Sequence, residues 1–242
     1  MFAKMHGRIG NRSFYPRSMI GGLGAPPISF YKFQRILLFV PRPNEKFRKI
    51  RNTKPVCALA PDVFLPGIFC YTGNMEFGYT IPLQKRVGIK GLRYGAEVKQ
   101  IFCWDLHVIR LHGREALLAV HCASRYAVVL AMGEKEWARL PETALGGIRA
   151  ALAADGFAAA QVETYIECAG KIQVTRTHGR REVAFLNRAW DDVAAQDWLF
   201  DPEEVSQFLL DYEVNGSLCR CAGYAGLGRP RERMAEELSV FT

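Results

Sequence analysis

Residues 98–132 are dense in β-branched and aromatic side chains, and two turn signals, His112-Gly113-Arg114 and Ser124-Arg125, divide the stretch. This grammar predicts a hairpin or meander, with strands over 100–111, 116–123 and 126–132. In the last of these, Tyr126, Val128, Leu130 and Met132 point one way and Ala127, Val129 and Ala131 the other. A strand apolar on both sides is expected at the centre of a sheet, covered on both faces. A further short strand is expected over 77–81, stopped by Pro82.

After Met132 the period changes. Leu145, Ile148 and Leu152 mark a helix that starts after Pro141 and ends at Gly156. Val162, Tyr165, Ile166 and Ala169 mark a second, ended by Gly170. Ile172 and Val174, alternating with Gln173 and Thr175, predict a strand with one wet face. Val183, Leu186, Trp190 and Val193 return to helical spacing. After Asp201-Pro202, read as N-cap and first helical residue, Val205, Phe208, Leu209 and Tyr212 give another helical face. A glycine-rich loop over 223–228 and a closing helix over 231–240 complete the chain. Strands come first and helices after, so the expected fold class is α+β: an antiparallel sheet of about four or five strands packed with several helices.

That domain is expected to occupy 75–242, with 1–74 a disordered or non-native upstream extension. Residues 1–74 hold twelve basic side chains against Glu45 and Asp62. The whole chain carries 32 basic and 24 acidic residues, so 75–242 is left with 20 and 22. Eight of the twelve prolines lie before Met75 and all four tryptophans after it, which places the core-building residues in the second part. The net charge of +8 therefore belongs to one end, and a polyanionic partner is not implied for the domain. Three readings of 1–74 compete: a transit-type leader, a basic arm that touches nucleic acid, and upstream DNA read as protein with translation starting at Met75. The third is favoured by the abrupt start of periodic sequence at Met75-Glu-Phe-Gly-Tyr-Thr-Ile.

Seven cysteines with no CxxC pair argue for free thiols in a reducing, cytoplasmic compartment. No apolar run approaches the roughly 20 residues that span a bilayer. His107 and His121 lie on neighbouring strands and invite a metal site with Cys103 or Cys122, but loop parity decides whether they meet. Two ordinary hydrogen-bonded histidines are the preferred reading, and neither a metal nor a cofactor is expected. Cys122-Ala-Ser124 after His121 offers nucleophile types without a known signature, so an inert core cysteine is preferred there. Gly146-Gly147, inside a helical pattern, reads as close packing. Thr177-His178-Gly179-Arg180-Arg181, followed by Asn187-Arg188, joins a strand to a helix and could face an anion.

At these motifs the chain resembles an uncharacterised bacterial family known only as a domain of unknown function. The resemblance rests on Met75-Glu-Phe-Gly-Tyr-Thr-Ile-Pro-Leu-Gln-Lys, Phe102-Cys103-Trp104, Gly113-Arg114, Arg125-Tyr126, Thr177 to Arg180 and Asn187-Arg188. It implies a domain starting near Met75 and brings no activity with it. The function is therefore open. The favoured expectation is a non-enzymatic binding or regulatory module that meets a protein or a small anionic ligand through Trp104, Arg180 and Asn187. The alternatives are a hydrolase or nuclease using His107, His121 and Asp105, and nucleic-acid binding through 1–74.

Overall fold

The computed structural model describes residues 73–95 and 100–241. The expectations for 1–72 lie outside the described residues. Five strands, β1 (Met75–Tyr79), β2 (Cys103–Leu111), β3 (Arg114–His121), β4 (Ala127–Ala131) and β5 (Ile172–Arg176), form one sheet in the order β4-β3-β2-β1-β5. Seven α-helices accompany it among the described residues, so the α+β class holds. No helix there is long and apolar enough to cross a membrane.

The sheet is mixed, which corrects the expected antiparallel arrangement. β2, β3 and β4 pair antiparallel, while β1 lies between β2 and β5 and is parallel to both. Connection length is the physical reason. Tight turns force β2, β3 and β4 to reverse, whereas α1 (Ile81–Arg86) and a further stretch of chain separate β1 from β2, and β5 follows only after three more helices. The β2–β3 turn is His112-Gly113, both with positive φ (48° and 77°), the geometry of a type I′ hairpin. It pairs Leu111 with Arg114 and hence His107 with Leu118.

Strand alternation builds two cores. Phe77, Trp104, Leu106, Leu117, Tyr126, Val128 and Leu130 face α3 (Leu140–Ala154), α4 (Ala159–Ala169) and α7 (Pro230–Leu238). The opposite face sets Ile109, Leu118 and Val129 against Leu186, Ala189 and Val193 of α5 (Arg180–Ala194) and Leu210 and Val214 of α6 (Phe208–Gly216). At Gly147, α3 packs directly on the sheet: a Cβ there would stand 2.5 Å from Leu130 Cδ1. A short helix, α2 (Glu134–Ala138), precedes α3 and has no counterpart in the expected elements.

β4 is an edge strand, contrary to the central position expected from its two apolar faces. Its free edge is covered by α6 and the segment before it. The Ala131 amide bonds the Val205 carbonyl (2.8 Å), the Val129 amide bonds Asp211 Oδ1 (2.8 Å), and Asn215 bonds both the amide (2.8 Å) and the carbonyl (2.7 Å) of Ala127. This inverts the expected face of α6. Asp211 and Asn215 turn inward, because unpaired edge amides cost more when buried than exposed apolar side chains do, and Val205, Phe208, Leu209 and Tyr212 are left exposed. The helix also starts at Phe208 rather than at Pro202.

Asp211 matches Asn215 one turn later but as a carboxylate lacks a donor, and its Oδ2 is buried without a partner among the described residues. Burial holds the Asp211 carboxyl well above the usual range. The folded state thus binds this proton more tightly than the unfolded chain, and the resulting penalty is absent below the unfolded carboxyl range near pH 4 and grows as pH rises through it. Asp211→Asn supplies the missing donor on the side of Val129 whose carbonyl, by strand parity, faces α6. Urea unfolding is expected to find the variant more stable by about 1 kcal/mol or more at pH 7, with the difference shrinking toward pH 4.

Candidate metal centre

On the β1 face opposite Phe77 stand Glu76 and Gly78. The parallel register sets Glu76 beside Cys103 and Gly78 beside Asp105. The Cys122 amide bonds the Cys103 carbonyl (2.9 Å), so Cys122 continues the row that starts at Glu76. β5 ends at Arg176, and the turn from Thr177 to Gly179 lowers His178 onto this row just before α5 begins.

The imidazole of His178 bridges two buried acids. Its Nδ1 lies 2.7 Å from Asp105 Oδ1 and its Nε2 lies 3.2 Å from Glu76 Oε2. The His178 amide adds a bond to Asp105 Oδ1 (3.2 Å), and Cys122 Sγ lies 3.4 Å from Nδ1. Glu76 is 0 % and Asp105 1 % exposed, whereas the His178 side chain keeps 11 %, so the cluster meets solvent through the imidazole. Asp105 Oδ2 is buried with no hydrogen-bond partner among the described residues. Two glycines make the space: a Cβ on Gly78 would overlap Asp105 Oδ1, and one on Gly95 would overlap Glu76 Oε2.

Buried carboxylates are costly unless a positive group compensates them. Burial raises the Asp105 carboxyl, opposed by its bonds to His178. Burial also disfavours a charged His178, but hydrogen bonds to Asp105, Cys103 and Cys122 outweigh it and hold the ring well above its ordinary range. The cluster therefore retains positive charge between its acids. The Cys122 thiol is pushed far up by burial and by Asp105, which makes it a poor nucleophile.

The donor atoms fall into two groups that share the imidazole: Glu76, Cys103 and His178 on one side, Asp105, Cys122 and His178 on the other, each with all donors within 4.8 Å of one another. Around a tetrahedral zinc ion, ligand atoms stand roughly 3.5 Å apart. A small contraction would bring either group to that spacing.

The residues expected to form a site lie elsewhere. Trp104 is fully buried and donates to Tyr165 Oη (2.9 Å), a core role rather than a contact surface. Arg180 and Asn187 are exposed on α5, two turns apart. His121 faces the first core, with Nδ1 on Ser124 Oγ (2.8 Å) and Nε2 on the Ile101 carbonyl (3.0 Å), and burial pushes it down to about 4. His107 lies on the opposite face, with Nδ1 on Thr80 Oγ1 (2.9 Å). The expected hydrolase or nuclease constellation of His107, His121 and Asp105 is therefore not assembled, because the two-residue turn puts the histidines on opposite faces. Cys103 and Cys122 do stand beside a histidine, but it is His178.

The described residues thus form an α+β domain with a buried acid–histidine–thiol cluster on the second face of its sheet. The chain belongs to the family described as Domain of unknown function (DUF6933), whose model matches residues 76–233 and so spans every residue of the cluster. No curated protein and no solved structure matches it.

Proposed function

We propose that this domain is a cytoplasmic, non-enzymatic binding or regulatory module whose buried cluster takes up a divalent, thiol-accepting ion of the zinc type. The observation that carries the reading is the placement of one imidazole between two buried carboxylates and beside two thiols. A carboxylate, an imidazole and a thiolate are a donor set that zinc accepts, with a fourth position for water or a partner's ligand.

Of the two groups, Glu76, Cys103 and His178 Nε2 is favoured. Asp105 then holds Nδ1–H through the shorter bond, which fixes the tautomer and orients the ring, as carboxylates do behind metal-bound histidines. The ion replaces the proton that the cluster otherwise keeps between its acids. Burial keeps the Cys122 thiol protonated, which supports binding over thiol catalysis at this cluster.

Calorimetric titration of zinc into chelator-stripped protein should show one saturable equivalent and a raised Tm. Glu76→Gln and Cys103→Ser are each expected to weaken binding by more than roughly tenfold. No saturable binding, or affinities unchanged in both variants, would overturn the proposal.

A further inference from the structure

A second site follows from the unequal lengths of β1 and β2. β1 ends at Tyr79, opposite Leu106, while β2 continues to Leu111. The bond from the Cys122 amide to the Cys103 carbonyl fixes the parity of β2: odd-numbered residues direct their main chain at β3, and even-numbered ones at the β1 side. Thr80 takes the Leu106 carbonyl (3.1 Å). Beyond it, by the same parity, the amides of Val108 and Arg110 point into an edge that no strand among the described residues faces.

A cleft of about 540 Å³ lies at this edge, its wall including Lys85, Arg86, His107, Arg110 and Trp190. That volume lies within the range of small-molecule sites. Arg86 is engaged with Glu115 (2.6 Å) and Glu134 (3.1 Å). Lys85 is exposed and has no ion-pair partner among the described residues, and Arg110, 78 % exposed, has only a 3.8 Å approach to the same Glu115. His107 uses Nδ1 on Thr80 and keeps Nε2 without a protein partner among the described residues. Trp190, half-buried on α5, packs against the second core with one side and closes the cleft with the other.

We infer that this cleft binds a small anion carrying a planar ring, of the nucleoside monophosphate type. Lys85, Arg110 and the two free amides supply donors for the anionic group, and the Trp190 indole supplies a face for the ring. An extended peptide fits less well, since only two residues of β2 offer outward amides before the strand ends. The site is separate from the metal cluster and does not depend on it.

The test is calorimetric titration with adenosine monophosphate in the presence of a chelator, with adenosine and inorganic phosphate as comparison probes. Saturable binding of the nucleotide, tighter than that of either probe, is expected. Lys85→Glu and Arg110→Glu alter exposed side chains and are expected to leave the fold intact; each is expected to weaken binding by roughly tenfold. Trp190 fluorescence should be quenched by the nucleotide in the wild-type chain. No saturable binding to the wild-type chain, equal binding by both charge-reversed variants, or binding of phosphate or adenosine as tight as the nucleotide's would overturn the inference.

Discussion

Gly78→Ala is expected to destabilise the domain by about 3 kcal/mol or more, read as a lower urea midpoint at unchanged slope. The added Cβ would overlap Asp105 Oδ1, stand 2.9 Å from His178 Nδ1 and lie 3.0 Å from Thr177 Cα. Two of these neighbours are the hydrogen-bonded pair at the centre of the cluster, and the third is backbone. None can give way without separating Asp105 from His178, which leaves a buried carboxylate uncompensated. Gly146→Ala is the internal control, since a Cβ there meets nothing within 4 Å. In a helix interior that change should be neutral or stabilising.

The second large effect is on metal affinity. His178→Gln keeps a side chain able to hydrogen-bond Asp105 and Glu76 but removes the imidazole nitrogen, and is expected to lower zinc affinity by more than roughly a hundredfold. Asp105→Asn should leave all three favoured ligands in place while weakening their support, with a loss of roughly ten- to a hundredfold. Competition with a chromophoric chelator separates the two. A larger loss in Asp105→Asn than in His178→Gln would move the ion from the Glu76 side of the ring to the Asp105 side.

Much of the secondary structure was legible because its determinants are local. Gly156 (φ 89°) and Gly170 (φ 62°) end their helices as their positions suggest, and the alternation of Tyr126 to Met132 divides between the two cores as read. The failures arise where a non-local demand outranks periodicity. The exposed stripe on α6 looks like a buried face, but the open edge of β4 needed Asp211 and Asn215 instead. The parallel pairing of β1 with β2 and β5 depends on crossover connections that carry no local signal.

The cluster was legible in fragments. Cys103 and Cys122 were recognisable as possible ligands, and Thr177 to Arg181 as a polar turn joining a strand to a helix. Glu76 gave one clue, an acid within an otherwise apolar strand start, and Gly78 two residues on supplies the space. What joins them is the register of three strands together with the landing point of the β5–α5 turn, which emerges only from the assembled sheet.

The most direct measurement of the central claim is the zinc K-edge absorption spectrum of the loaded domain. The account predicts a four-coordinate ion with one sulfur at about 2.3 Å and nitrogen or oxygen neighbours at about 2.0–2.1 Å, the sulfur lost in Cys103→Ser. A shell of oxygen and nitrogen alone, identical in Cys103→Ser and His178→Gln, would contradict it.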